Sequence, residues 1–221
     1  MTITFTSSGS EQGVDDLIAK IAAFENDSIA IKVQADLRDV DAPDKIVKAT
    51  RAAFGDGIDI LVNNAGFQNT KELHEITIDD YSQHYDLNIR AIILMSKSVL
   101  PHLRSPGRIV NVGSTGGRSG FPGLSLYCSS KAAVEGLTRC YAAELGPQGH
   151  TVNVVAPGPV ETDLLKGVPQ EIVASQEAST PMEHRLGTPD DIAQIVAFLC
   201  EERSRWITGQ TISATGGWSM L

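Results

Sequence analysis

Ile58-Asp59-Ile60-Leu61-Val62-Asn63-Asn64-Ala65-Gly66 is the stretch on which the fold turns. Its first five residues are a nearly continuous apolar run, the pattern of a strand buried on both faces of a parallel sheet. The run stops at amide-bearing and small residues, which suit a turn. Upstream, Thr2–Thr6 (TITFT) is β-branched and aromatic and reads as a strand. Val14, Leu17, Ile18 and Ile21 repeat at helical spacing, Ile29–Val33 reads as a second strand, and Ile46, Val47, Ala53 and Phe54 lie on a helix ended by Gly55 and Gly57. Downstream, Thr77-Ile-Asp-Asp80 is a helix cap whose helix should run to about Leu103. Arg108–Val112 is a strand, Ser125–Leu145 a helix closed by Gly146-Pro147, and Thr151–Val155 a strand ended by Pro157-Gly158-Pro159. Thr188-Pro-Asp-Asp191 caps a helix through Cys200, and Gln210–Ser213 is the last strand. Strand–helix alternation of this kind predicts an α/β chain, Rossmann-like, with three layers around a mostly parallel sheet. Ligands of such sheets bind beyond the carboxyl ends of the strands.

The 221 residues suit one domain, and no linker, repeat or low-complexity tract divides them. Lys+Arg 18 against Asp+Glu 27 gives a net charge of −9 with no basic cluster, which argues against nucleic acid or anionic membrane as partner. No apolar run approaches the roughly 20 residues of a membrane helix, and residues 1–11 lack a secretory signal. Cys128, Cys140 and Cys200 are odd in number and scattered, as in reduced cytoplasmic proteins. The five histidines, 74, 84, 102, 150 and 184, have no metal-ligand spacing, so no metal is expected.

The residues that follow the strands carry the chemistry. Asn63-Asn64-Ala65-Gly66 lets backbone approach a flat ligand, although alone it is also an ordinary turn. Gly113-Ser114-Thr115-Gly116-Gly117 places a serine in a glycine-rich loop without the G-x-S-x-G of a nucleophile elbow. Tyr127 and Lys131 stand at i and i+4, so their side chains share one helix face. A cation beside a phenol favours the phenolate and makes the pair a plausible acid/base. A lone Y-x-x-x-K is common; its meaning depends on its company.

With that company the chain resembles the short-chain dehydrogenase/reductase family. The matching pieces are Asp36, Asn63-Asn64-Ala65-Gly66, Asn88, Asn111-Val-Gly-Ser114, Tyr127-x-x-x-Lys131, Pro157-Gly158-Pro-Val160-Glu-Thr162, Gly187-Thr-Pro-Asp-Asp-Ile192 and Ile207-Thr-Gly-Gln210 with Gly216-Gly217. They run from about residue 2 to 217, so residues 1–221 are expected to be a single domain of this type. The resemblance implies that Tyr127 exchanges a proton with the substrate oxygen, and that Ser114 hydrogen-bonds that oxygen. It implies that Lys131 holds the nicotinamide ribose and depresses the tyrosine pKa, and that Asn88 anchors a water in a proton relay. Asp36 and Leu37 would meet the adenine, Asn64, Ala65 and Gly66 the cofactor ribose, and Val160 and Thr162 the carboxamide and pyrophosphate. Residues 163–185 resemble the mobile substrate lid of the family. Their Leu164, Leu165, Val168, Ile172 and Met182 suggest a largely apolar carbonyl or alcohol substrate. The family's helix interfaces imply a homodimer or homotetramer. The strand Thr2–Thr6 ends in Ser7 and Ser8 rather than an acidic residue, which favours NADP over NAD.

One piece of the family pattern is expected to be absent. The usual first strand and its T-G-x-x-x-G-x-G turn have no counterpart. Gly9-Ser-Glu-Gln-Gly13 imitates the turn, but Asp15 and Asp16 follow where a pyrophosphate would be repelled. An N-terminally truncated form is therefore expected, with Thr2–Thr6 sliding beside Ile58–Val62 to give the strand order 2-1-3-4-5-6. Three readings follow: an NADP-linked oxidoreductase, a non-redox acid/base catalyst (isomerase, dehydratase or cyclase) without dinucleotide, and an inactive truncated subunit.

Overall fold

The computed structural model describes every residue except 6–9, 25 and 221. Ser7 and Ser8, with Thr6 and the glycine-turn imitation at Gly9, therefore lie outside the described residues. In chain order the elements are β1 (Thr2–Phe5), α1 (Glu11–Ala22), β2 (Ile31–Gln34), α2 (Ala42–Phe54), β3 (Ile58–Asn63), α3 (Ile78–Tyr85), α4 (Ala91–Val99), β4 (Leu103–Val112), α5 (Ser125–Leu145), β5 (Thr151–Pro157), α6 (Gln170–Ser179), α7 (Pro189–Cys200) and β6 (Thr211–Ala214). They group into two compact units, residues 1–58 with 90–104, and residues 59–89 with 105–221. The fold is Rossmann-like α/β, with parallel strands in register in both units.

In the first unit β1 pairs with β2, Thr2 opposite Ile31 and Phe5 opposite Gln34. The second strand starts two residues later than its β-branched composition suggests. Asn26 caps the preceding turn by accepting from the Ser28 N–H, and Ile29 is left exposed. Lys32 on β2 reaches Glu11 and Asp15 of α1, so the acidic start of that helix is neutralised from within its own unit. Asp36, at the end of β2, turns its carboxylate onto Arg38, which holds its pKa below the usual range.

In the second unit the strand order is β3-β4-β5-β6. Arg108 stands opposite Thr151 and Val112 opposite Val155, while β6 runs from Thr211 opposite Val154 to Ala214 opposite Pro157. Ile109 and Val110 of β4, and Val152, Val154 and Val155 of β5, are almost completely buried. Their continuous apolar runs follow from having neighbours on both edges and layers on both faces. α5 packs against β5, and Leu199 of α7 closes a core cluster with Val110, Val155 and Ala214. Both caps form as reciprocal boxes. The Thr77 hydroxyl accepts from the Asp80 N–H while the Asp80 carboxylate accepts from the Thr77 N–H. Thr188 and Asp191 repeat the arrangement on α7, with Pro189 in the first turn.

Three expectations are corrected. The order 2-1-3-4-5-6 does not form, because β1 has β2 as its partner and β3 belongs to the other sheet. In TITF only Phe5 is buried, and the Thr2 hydroxyl accepts from Thr50 of α2. A strand so rich in hydroxyls fits poorly in a doubly covered central position. Second, β3 ends its sheet, so Ile60 and Val62 stay exposed and only Leu61 is buried. Third, the helix expected from Thr77 to about Leu103 is interrupted: residues 86–90 form a π turn between α3 and α4.

One polar thread runs through the second unit. Asn63 Nδ2 donates to Asn111 Oδ1 at 2.8 Å, and Asn111 Nδ2 donates to Thr138 Oγ1 at 2.9 Å. Asn111 is completely buried. Asn111→Leu leaves both partners unpaired and is expected to cost about 2–3 kcal/mol. The denaturant midpoint of the variant measures this, and an unchanged midpoint refutes it.

Candidate active site

The candidate site stands at the carboxyl ends of β3, β4 and β5, within the second unit. β4 delivers Ser114 directly: beyond Val112 the chain enters a short turn, and the Ser114 hydroxyl accepts from the Gly116 N–H at 3.0 Å. Glycine is required at 117, because a Cβ there would stand 3.0 Å from the Lys131 backbone. That close approach seats the turn on α5. One turn into α5, Tyr127 and Lys131 are both buried. The Ser114 hydroxyl and the Tyr127 ring flank Gly116, each 3.3 Å from where a Cβ there would stand. Lys131 Nζ lies 5.8 Å from the centre of the Tyr127 ring and donates to the Val112 carbonyl at 2.8 Å. Serine, phenol and amine are thus brought together, as expected.

Their electrostatics differ from expectation. Burial pushes the Tyr127 phenol up, and the neighbouring Ser114 hydroxyl opposes this only in part. The amine does not lower it, because Lys131 is aimed at a backbone carbonyl. Burial pulls the Lys131 ammonium itself down to about 8. Val112 is its only hydrogen-bond partner among the described residues, so two of its three donors remain for a ligand.

Asn88 is placed by the π turn and is completely buried. Both hydrogens of its side-chain amide are engaged. Oδ1 accepts from the Phe67 N–H at 2.8 Å, and Nδ2 donates to the Phe67 carbonyl and to Ser130 Oγ, both at 3.0 Å. It therefore ties the loop after β3 to α5. Asn64 and Ala65 are exposed on that loop, and Gly66 beside them leaves room: a Cβ would come 3.4 Å from Lys131 Nζ and 3.6 Å from Asn88 Oδ1. At the end of β5, Val160 makes an isolated bridge with Gly187, and Thr162 is exposed with its hydroxyl on the Val160 carbonyl. Asp36 and Leu37 belong to the first unit.

A nicotinamide dinucleotide fits this donor set. A buried ammonium with spare donors, a phenol, and a glycine-lined exposed loop are what a ribose and a flat ring require. Residues 163–185 form a 3-10 turn at Asp163–Gly167 and then α6; their far end is fastened where the Met182 N–H donates to the Gly216 carbonyl. Sequence reading passed over Ser130 and Phe67, which hold Asn88. Ser130 was detectable as the i+3 neighbour of Tyr127; a backbone partner such as Phe67 leaves no signature.

A family model described as enoyl-(acyl carrier protein) reductase matches residues 1–219. Dehydrogenase OXI1 of Cochliobolus heterostrophus is 47% identical over 230 residues, covering 100% of this chain and 97% of that protein. The short-chain dehydrogenase/reductase FrzI of Cladobotryum sp is 45% identical over 195 residues, 85% of this chain and 75% of that one. Among solved structures, a blue fluorescent protein from a metagenomic library in complex with NADPH superimposes with a TM-score of 0.90 at 33% identity, covering 99% of this chain and 87% of that one. The chain belongs to the short-chain dehydrogenase/reductase family.

Proposed function

We propose that the chain transfers hydride between NADP(H) and a carbonyl/alcohol pair, with Tyr127 as the proton donor and acceptor. The observation that carries this reading is the buried Tyr127 phenol with Ser114 beside it across Gly116 and Lys131 Nζ 5.8 Å from its ring centre. The nicotinamide, when bound, supplies or accepts the hydride. Ser114 donates to the substrate oxygen and orients the carbonyl. In reduction Tyr127 gives its hydroxyl proton to that oxygen; in oxidation it takes the proton back. Lys131 holds the ribose hydroxyls and steadies the phenolate as it forms. Asn88 keeps the loop carrying Asn64, Ala65 and Gly66 against the ribose. Val160 and Thr162 meet the carboxamide and pyrophosphate.

The preference for NADP rests on Ser7 and Ser8, where an acidic residue would select NAD. The NADPH complex of the similar structure supports it. The dehydrogenase name of the 47% identical relative supports redox chemistry over cofactor-independent acid/base catalysis. The reading includes a cytoplasmic setting, for which the three free thiols speak, and a homodimer or homotetramer. Among the described residues no helix is long and apolar enough to cross a membrane, and no side-chain group suits a metal. Isothermal calorimetry tests the reading: micromolar binding of NADPH, tighter than NADH, is expected. Absence of heat with both dinucleotides overturns it.

A further inference from the structure

His84 of α3 is completely buried, and the mechanism above makes no use of it. Its Nδ1 stands 2.8 Å from the Asp80 carbonyl oxygen, and its Nε2 stands 3.4 Å from the Asn69 backbone nitrogen. A carbonyl oxygen only accepts, and a main-chain N–H only donates. These two partners therefore fix the neutral tautomer, with the proton on Nδ1 and Nε2 free to accept. The imidazole also meets the Phe67 ring edge to face, with ring centres 4.9 Å apart. One buried ring thus grips the loop after β3 twice, at the Phe67 side chain and at the Asn69 main chain. The Asp80 carboxylate assists by accepting from Asn69 Nδ2 at 3.4 Å. That loop carries Asn64, Ala65 and Gly66, and Gly66 lies only three residues before Asn69. An aliphatic residue at 84 would fill the same space but offer the Asn69 N–H no acceptor.

We propose that His84 is a positioning residue for the dinucleotide: by accepting from the Asn69 N–H it sets residues 64–69 in their ribose-binding conformation before the cofactor arrives. This rests on the oxidoreductase reading, in which that loop lines the ribose, and adds a residue that touches neither substrate nor cofactor. A loop ordered in advance spares the ligand the cost of ordering it. A loop that is ordered only part of the time weakens the apparent affinity by that fraction. Losing the grip on Asn69 therefore raises Kd and KM for the dinucleotide and does not lower kcat at saturation.

Two variants of the full chain each keep one half of the imidazole. Glutamine places an amide oxygen near the position of Nε2, whereas asparagine reaches only to the position of Nδ1. His84→Gln is expected to bind NADPH within about twofold of the parent, because the Asn69 N–H keeps an acceptor. His84→Asn is expected to raise the calorimetric Kd and the KM for NADPH about fivefold, the worth of one hydrogen bond, without lowering kcat. Each variant gives up one buried contact, so the thermal midpoints of both should fall. A merely structural role would weaken NADPH binding in both variants in step with those midpoints. A second measurement needs the parent alone. Its Asn69 amide should exchange slowly with deuterated solvent before any dinucleotide is added, and NADPH should slow it little further. If the parent binds NADPH and the two variants match each other in affinity, the role is refuted and the redox reading stands. An Asn69 amide that exchanges fast until NADPH is added refutes the role in the same way, and it decides the matter should the variants fail to fold. A parent that binds no dinucleotide refutes the redox reading and this role together.

Discussion

Tyr127→Phe is expected to lower kcat for carbonyl reduction about 10²–10⁴-fold, the span of a positioned general acid. On the proposed reading the phenol gives its proton to a substrate oxygen held by the neighbouring Ser114. Burial raises its pKa, so in the free enzyme it carries its proton throughout the neutral range and is ready as an acid. Phenylalanine keeps the ring in its packing and removes only the hydroxyl, so the thermal midpoint should move by the equivalent of about 1 kcal/mol or less. Dinucleotide affinity should change little, since Lys131 is left in place. Steady-state kinetics at saturating substrate, together with calorimetry, separates the effects. A variant that turns over like the parent removes Tyr127 from the chemistry.

Much of the site was legible because parallel α/β sheets put reactive residues where a strand ends. Ser114 follows β4, Asn64 follows β3, and Tyr127 with Lys131 share a face by helical spacing alone. The capping boxes at Thr77 and Thr188 were legible for a similar reason, since both partners lie within three residues. What escaped depended on tertiary surroundings. The β3 run Ile58–Val62 has the composition of a doubly buried strand, but exposure is fixed by neighbours, and β3 has β4 on one edge alone in its sheet. The π turn at residues 86–90 has no apolar period to betray it. The direction of the Tyr127 shift was misread because i, i+4 spacing places an amine near a phenol without saying where its proton points. Here it points to the Val112 carbonyl. The pairing of β1 was misread because the vacancy beside β3 was inferred from the family, whereas the hydroxyls of TITF favour a less buried position.

Lys131→Met separates function from stability in opposite directions. The ammonium is 4% exposed, and burial alone lowers its pKa from 10.5 to about 8. At about 1.4 kcal/mol per unit, that shift is a burden of about 3 kcal/mol on the folded state wherever the amine is charged. Below pH 8 both folded and unfolded chains hold the proton, so the burden is fully present. Between pH 8 and 10.5 the unfolded chain holds a proton that the folded chain has released, and stability from this group rises with pH. Methionine has similar length and no charge, so it removes both the burden and its pH dependence. Relative to the variant, the parent should therefore gain about 2 kcal/mol in unfolding free energy between pH 7 and pH 10. Denaturant titrations of both proteins at the two pH values measure the change, and a difference that stays constant with pH refutes it. Activity should move the other way. On the proposed reading the ammonium anchors the ribose and stands near the forming phenolate, so its loss should lower kcat/KM about a hundredfold or more. The parent's own reduction rate should hold level below about pH 8 and decline above it, as Lys131 gives up its charge while Tyr127 still keeps its proton. A rate that instead rises through that window would assign the controlling titration to another group. On the proposed reading, the burden on folding is a consequence of placing a cation where the reaction would develop negative charge.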